Sequence, residues 1–177
     1  MKYNKLFCID SSLLMALHRY YPQSAVPSIW KLLSDIFISD IAFSHRLVFD
    51  EVYYNQDHPD ALAQWIIPFK ARFVLKTDRQ WELIADIVKK NPKLIDSGCK
   101  KEQADPWLIA LLIEEQEKRN VPCILVTQES KISSDKLPAA CKSFGLRSMN
   151  MIEFFEENSW KVNVTHQKKL ESDDEPL

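Results

Sequence analysis

Four acidic residues stand where apolar runs begin or end. Asp10 closes the run in LFCIDSS, residues 6 to 12. Glu51 lies in VFDEV, Asp105 opens ADPWLIALL, and Glu129 follows the strand-like run in LVTQES. Each has an ordinary use on its own. Asp10 could cap a helix, and Asp105 before Pro106 reads as an N-cap. Glu129 could be a solvated loop acid, and Asp50 and Glu51 could face water. Asp10, Glu129 and Asp105, at two strand ends and one helix start, point to chemistry as a set. Clustered carboxylates repel one another unless a cation sits among them. Oxygen ligands without His or Cys select Mg²⁺ or Mn²⁺. Such an ion, with positions open to phosphate oxygens, is the usual means of hydrolysing a phosphodiester.

Short apolar strands alternating with helices must bring these acids together. Tyr3 to Ile9 reads as a buried strand, with Ser11 or Ser12 capping the helix SLLMALHRYY that follows. VPSIWKLLSDIF has Pro27 at its first turn. IAFS reads as a brief strand, and HRLVFDEVYY, ALAQWIIPF and RQWELIADIVKK as helices. NPKLIDSGCKKEQ is polar and reads as a loop. ADPWLIALLIEEQEKRN is apolar all round in its first half, which predicts a buried central helix. PCILVT is an uninterrupted apolar strand of the kind found in parallel sheets. LPAACKSFG predicts a helix closed by Gly145, LRSMNM a last strand and IEFFEEN a last helix. The pattern predicts an α/β fold with a short, mostly parallel sheet. Sites in such sheets lie beyond the carboxyl ends of the strands, where Asp10 and Glu129 both fall. Residues 1–159 read as one domain and 160–177 as a polar tail.

Composition narrows the function. The chain has 177 residues, 46% of them hydrophobic, enough for one domain with a sizeable core. With 2 glycines it has no Gly-rich phosphate loop or dinucleotide fingerprint. A formal net charge of -2 leaves nucleic-acid contact to local cations, for which His18, Arg19, Lys131 and Lys136 are candidates just past the acid motifs. Cys8, Cys99, Cys123 and Cys141 are scattered, which excludes a zinc site and predicts a reducing, cytoplasmic setting. The apolar run after Lys2 and Lys5 is too short for a signal peptide, and no segment is long and apolar enough to span a membrane. Trp30, Trp65, Trp81 and Trp107 fall at helical positions among aliphatics and predict core rather than a base-stacking platform.

FCIDSS, VFDEV, ADPWLIALL and LVTQES, in that order, resemble the acid motifs of the PIN-domain nucleases, and within them the bacterial VapC-like branch. The likeness covers roughly residues 4 to 155. It implies a PIN-like (Rossmann-like) three-layer fold and a metal-dependent endoribonuclease. Asp10 matches the family's first acid and Ser12 the small polar residue two places on. Glu51, followed by Val52, matches the second acid better than Asp50 does. Asp105 matches the helix-opening acid and Thr127 the threonine of the last motif. Glu129 stands where the family usually has Asp, and Ser11 where it has Thr.

On this resemblance Asp10, Glu51, Asp105 and Glu129 would hold Mg²⁺ or Mn²⁺, directly or through water. Thr127 and Ser12 would orient carboxylates or the attacking water. The substrate would be RNA, with tRNA or another structured RNA as candidates. The role implied is that of a toxin opposed by an antitoxin protein, with a homodimer left open. The alternative is a catalytically inactive PIN-like module that binds RNA or a protein. A phosphatase of the haloacid-dehalogenase type would need a second Asp at the position of Ser12.

Overall fold

The computed structural model describes residues 4–161, except 56, 97 and 100. Five strands form one sheet: β1 (Leu6–Ile9), β2 (Ala42–His45), β3 (Phe73–Val74), β4 (Cys123–Val126) and β5 (Arg147–Met149). Their order is β3-β2-β1-β4-β5, and every pairing is parallel. Helices flank the sheet in a three-layer, Rossmann-like α/β arrangement. They are α1 (Ser11–Tyr20), α2 (Pro27–Ile38), α3 (Arg46–Val52), α4 (Ala61–Ile66), α5 (Asp78–Lys90), α6 (Asp105–Arg119), α7 (Leu137–Ser143) and α8 (Met151–Glu157).

The strand order reverses at β1. From β1 the chain steps outward to β2 and β3, then returns to place β4 on the other side of β1. The crevice between β1 and β4 is therefore the switch point, where open parallel sheets bind ligands. Register fixes what meets there. Ile9 stands opposite Val126, so the next residues, Asp10 and Thr127, emerge side by side. The Asp10 amide donates to the Val126 carbonyl at 3.0 Å and continues the ladder to the strand end.

The central strands are buried on every residue because helices cover both faces. α6 supplies the largest insert, with every residue from Pro106 to Leu112 buried, as its all-round apolar first half predicted. Its second half is held to α5 by a polar clasp. Buried Glu114 accepts from Thr77 Oγ1 at 2.8 Å, Gln80 Nε2 at 2.6 Å and Lys118 Nζ at 2.8 Å. Burial raises the Glu114 pKa, but these donors outweigh it and hold the group below its ordinary value. Asn120 ends α6 in the left-handed region, at φ 51°. Gly145 does the same after α7, at φ 70°. Asn150 and Glu153 form a capping box on α8.

Several boundaries differ from the sequence reading. Asp10 occupies the N-cap position of α1, and Ser11 begins the helix. Asp105 is the first residue of α6, and Ala104 is the N-cap. ALAQWIIPF splits at Pro68, whose missing N–H favours a 3-10 segment over Ile67–Arg72. β3 is a two-residue strand, too short to show a period of its own. The polar stretch after Lys90 contains one 3-10 turn, Pro92–Leu94. Trp160 packs on Phe154 and Phe155, with ring centroids 5.0 and 5.7 Å away. It lies one residue past the domain boundary drawn from sequence, and the tail from residue 162 lies outside the described residues. Cys8, Cys123 and Cys141 are buried, and burial pushes the Cys123 and Cys141 thiols up to about 12. No helix among the described residues is long and apolar enough to cross a membrane.

Leu108 is fully buried where α6 meets the sheet. Leu108→Ala is expected to cost about 2–5 kcal/mol in a urea titration, through lost transfer energy and the cavity it leaves. A cost below about 1 kcal/mol would mean that α6 does not anchor the core.

Candidate active site

Asp10 is 3% exposed and is the best-tied residue at the switch point. Its backbone has cap geometry, yet its side chain makes no cap hydrogen bond. The carboxylate turns to hydroxyls instead. Oδ2 accepts from Ser12 Oγ at 2.5 Å and from Thr127 Oγ1 at 2.8 Å. Oδ1 has the Ser11 hydroxyl at 3.4 Å, a long contact that leaves lone-pair capacity open. The hydroxyls are fixed in turn. The Gln128 amide donates to Ser12 Oγ at 2.9 Å and the Glu129 amide to Thr127 Oγ1 at 3.2 Å. Gln128 is itself clamped, because its Oε1 accepts from the Met151 amide at 2.8 Å. Nothing in the sequence marks Gln128; its backbone position in the loop after β4 gives it this role.

The other acids converge electrostatically on the same place. Burial raises the Asp10 pKa, the Ser12 and Thr127 hydrogen bonds lower it, and the Glu129 charge raises it further. Burial also raises Glu51, against hydrogen bonding from Ser11, and the Asp10 charge adds to the rise. Asp105 is pushed up to about 7, first by burial, then by the charges of Asp10, Glu129 and Glu51; Lys136 pulls the other way. Carboxylates from the ends of β1 and β4, from α3 and from the start of α6 thus act on one another. Adjacent Asp50 points away to solvent and pairs with Arg46 at 3.1 Å, which leaves Glu51 as the inward acid.

Glu129 has two further partners. Its Oε2 accepts from the Leu137 amide at 2.8 Å, at the first residue of α7, and its Oε1 lies 3.3 Å from Lys136 Nζ. Of the four cations expected near the acids, Lys136 alone joins them. Lys131 is paired with Glu153, and its charge is spent on the α8 capping box. His18 and Arg19 sit in the last turn of α1, about 12 Å along the helix axis from Asp10.

The donor set suits a hard dication. It offers only oxygen, it is partly dry, and its members raise one another's proton affinity, a cost that a dication would offset. Among the described residues no group of three or more His, Cys, Asp and Glu side chains stands in a geometry that could hold a metal ion. The carboxylates share a field without closing on one point.

Asp105 separates a repelling cluster from a helix cap. Its folded pKa lies above its ordinary value of 3.8, so the folded state carries the extra proton between about pH 4 and pH 7. Stability should therefore fall as pH rises through that window, and the penalty should vanish below it. In EDTA, the melting temperature of the wild type is expected to drop from about pH 5 to pH 8 more than that of Asp105→Asn. Asp105→Asn should be the more stable protein at the upper end. Parallel pH profiles would show that Asp105 carries no such strain.

Comparison with curated proteins gives no match. The family described as Domain of unknown function (DUF4411) matches residues 7–162, from β1 to beyond α8. The match takes in the four acids and all five strands but for the first residue of β1, and the chain belongs to the DUF4411 family.

Proposed function

We propose that the chain is a metal-dependent endoribonuclease of the PIN type, with Asp10, Glu51, Asp105 and Glu129 as its acidic centre. The observation that carries the reading is that Asp10, Glu51 and Asp105 all lie around the switch point with raised proton affinity, first through burial and then through the charge of neighbouring acids. Each of these acids is carried by a different element, and neither Asp10 nor Asp105 caps its helix through its side chain. Three separate elements that bring carboxylates without a cationic partner into one another's field are costly for a fold and useful for chemistry.

Asp10, Glu51 and Asp105 would hold Mg²⁺ or Mn²⁺, and Glu129 would serve as an outer ligand. When bound, the ion supplies positive charge for a phosphate and lowers the pKa of water. The chain's own residues do the rest. Ser12 and Thr127 hold Asp10 by one oxygen, so that the other points consistently. Asp105 keeps its proton up to about pH 7, so cation loading competes with protonation there and tightens as pH rises. Lys136 lies beside Glu129 and can exchange that carboxylate for a substrate phosphate, because an exposed pair of this kind is weak.

A second reading has its own observation. Both Glu129 oxygens already have partners, in the Leu137 amide and Lys136. An inactive PIN-like module that binds RNA or a protein would keep those contacts and need no ion. Cleavage assays divide the two. RNA cutting that needs Mg²⁺ or Mn²⁺ and stops in EDTA is expected, and Asp10→Asn should keep the fold but lose on the order of a thousandfold in rate. Added Mg²⁺ should stabilise the wild type by roughly 2.7 kcal/mol at a hundredfold excess over its dissociation constant, and Asp10→Asn much less. A wild type that neither cuts RNA nor melts higher with Mg²⁺ leaves the inactive module as the better account. The toxin role is a further part of the proposal, tested by growth arrest on expression and its relief by a small neighbouring gene.

A further inference from the structure

Trp81 departs from the expectation that the tryptophans are core. It lies in the first turns of α5 and is 57% exposed. Its ring stands edge-to-face on buried Trp107, with centroids 4.6 Å apart, so it is held in a fixed pose rather than loose in solvent. Lys76 Nζ lies 5.4 Å from the Trp81 ring and 4.5 Å from that of Trp107. Leu75, the next residue back, is 67% exposed. Leu75 and Lys76 line a shallow, mostly apolar groove of about 680 Å³ along β3, the edge strand of the sheet, and the Trp81 ring stands beside it, next to Lys76.

Among the described residues, three cations line that groove, Arg46, Lys70 and Lys76, and no acid does. Arg46 and Lys70 flank the Phe49 ring at 4.8 and 5.7 Å. Lys70 has no acidic partner among the described residues, while Arg46 and Lys76 pair with Asp50 and Glu102. Those pairs are partly exposed, so a phosphate can replace the carboxylate at little cost. In a chain of net charge -2, three cations beside exposed apolar surface form a local anion-attracting strip.

Two helices link this face to the acid centre. Arg46 opens the helix that carries Glu51, and Trp107 lies two residues after Asp105. We propose that this groove binds the single-stranded part of a nucleic-acid substrate, with one unpaired base stacked on Trp81 and the flanking phosphates on Lys70, Lys76 and Arg46. The choice of a nucleic acid rests on the nuclease reading; the groove, its cations and its exposed indole do not. A flat indole face with cations spaced beside it suits a strand whose bases are free, because a base held inside a duplex cannot turn onto the ring.

Binding in EDTA tests this without any cleavage. A short dye-labelled RNA is titrated by anisotropy as a single strand and as a blunt duplex, against wild type, Trp81→Ala, Trp81→Phe and Lys70→Glu. The single strand should bind wild type more tightly than the duplex does. Trp81→Ala should weaken the single strand about tenfold and leave the duplex nearly unchanged, and Trp81→Phe should restore most of the loss. Lys70→Glu should weaken both and flatten the dependence on salt. Equal affinity of wild type and Trp81→Ala for the single strand, or no binding of either RNA, overturns the proposal and leaves the face to a protein partner. A wild type that cuts RNA while Trp81→Ala binds it as tightly removes this inference alone. Trp81-dependent binding without any cutting sustains the groove and removes the nuclease reading.

Discussion

The fold is arranged around the cost of keeping unneutralised carboxylates out of water. Asp10 sits at the end of β1 with almost no exposed surface, and only hydroxyls and an amide-rich loop answer its charge. Burial of this kind is tolerated when the surrounding structure is over-determined. Here the register of β1 on β4 supplies the determination. Opposed Ile9 and Val126 make Asp10 and Thr127 neighbours, and a slip of one residue would turn Asp10 to the other face of the sheet. The buried residues of β1, β4 and α6 make such a slip expensive, because each would lose its apolar contacts at once.

Glu51 and Asp105 owe their places to a single stack behind them. His45 ends β2 and caps α3, its Nδ1 accepting from the Leu47 amide at 3.2 Å. Burial lowers its pKa to about 4, so the ring is neutral and its one proton sits on Nε2. Gln80 lies close enough to act on that ring, and continues through Glu114 into the clasp between α5 and α6. The imidazole stacks on Trp107 at 5.6 Å. One ring therefore fixes the start of α3, which sets where Glu51 points, and through Trp107 the start of α6, which sets Asp105. None of this is chemistry at the acids, but it decides whether they meet.

How much of this was legible follows from the range of the forces involved. Strands and helices long enough to show a period were readable, as were Gly145 and the all-round apolar half of α6. The choice of Glu51 over Asp50 came from the resemblance, while helix geometry said only that one of the two could turn inward. What sequence missed was set by tertiary contact. β3 has two residues and exists because β2 pairs with it. Asp before Pro usually takes the cap place, yet Ala104 takes it here, and Asp105, which the sequence also offered as a member of the acidic centre, lies in the field of the other acids. Trp81 reads as core because its helix is amphipathic, but α6 presents Trp107 beneath it and leaves its outer face bare. Lys131 looked free to meet RNA until α8 placed Glu153 beside it.

Glu129 shows how one position can serve both stability and chemistry. The loop after β4 must lead to α7, whose N-cap residue, Lys136, offers no side-chain acceptor for the first free amide. Glu129 supplies it by reaching the Leu137 N–H. Asp is one methylene shorter and would have to bring the loop closer to make the same bond. The added length lets the acid hold the helix with one oxygen while the other stays beside Lys136, in the field that raises Asp105. A cation entering the centre would have to compete with Lys136 for that second oxygen alone, since the first is committed to the fold. On the proposed reading, glutamate where the PIN pattern has aspartate would make Glu129 the weaker ligand and the better cap, at the margin of an acidic centre whose core would be Asp10, Glu51 and Asp105.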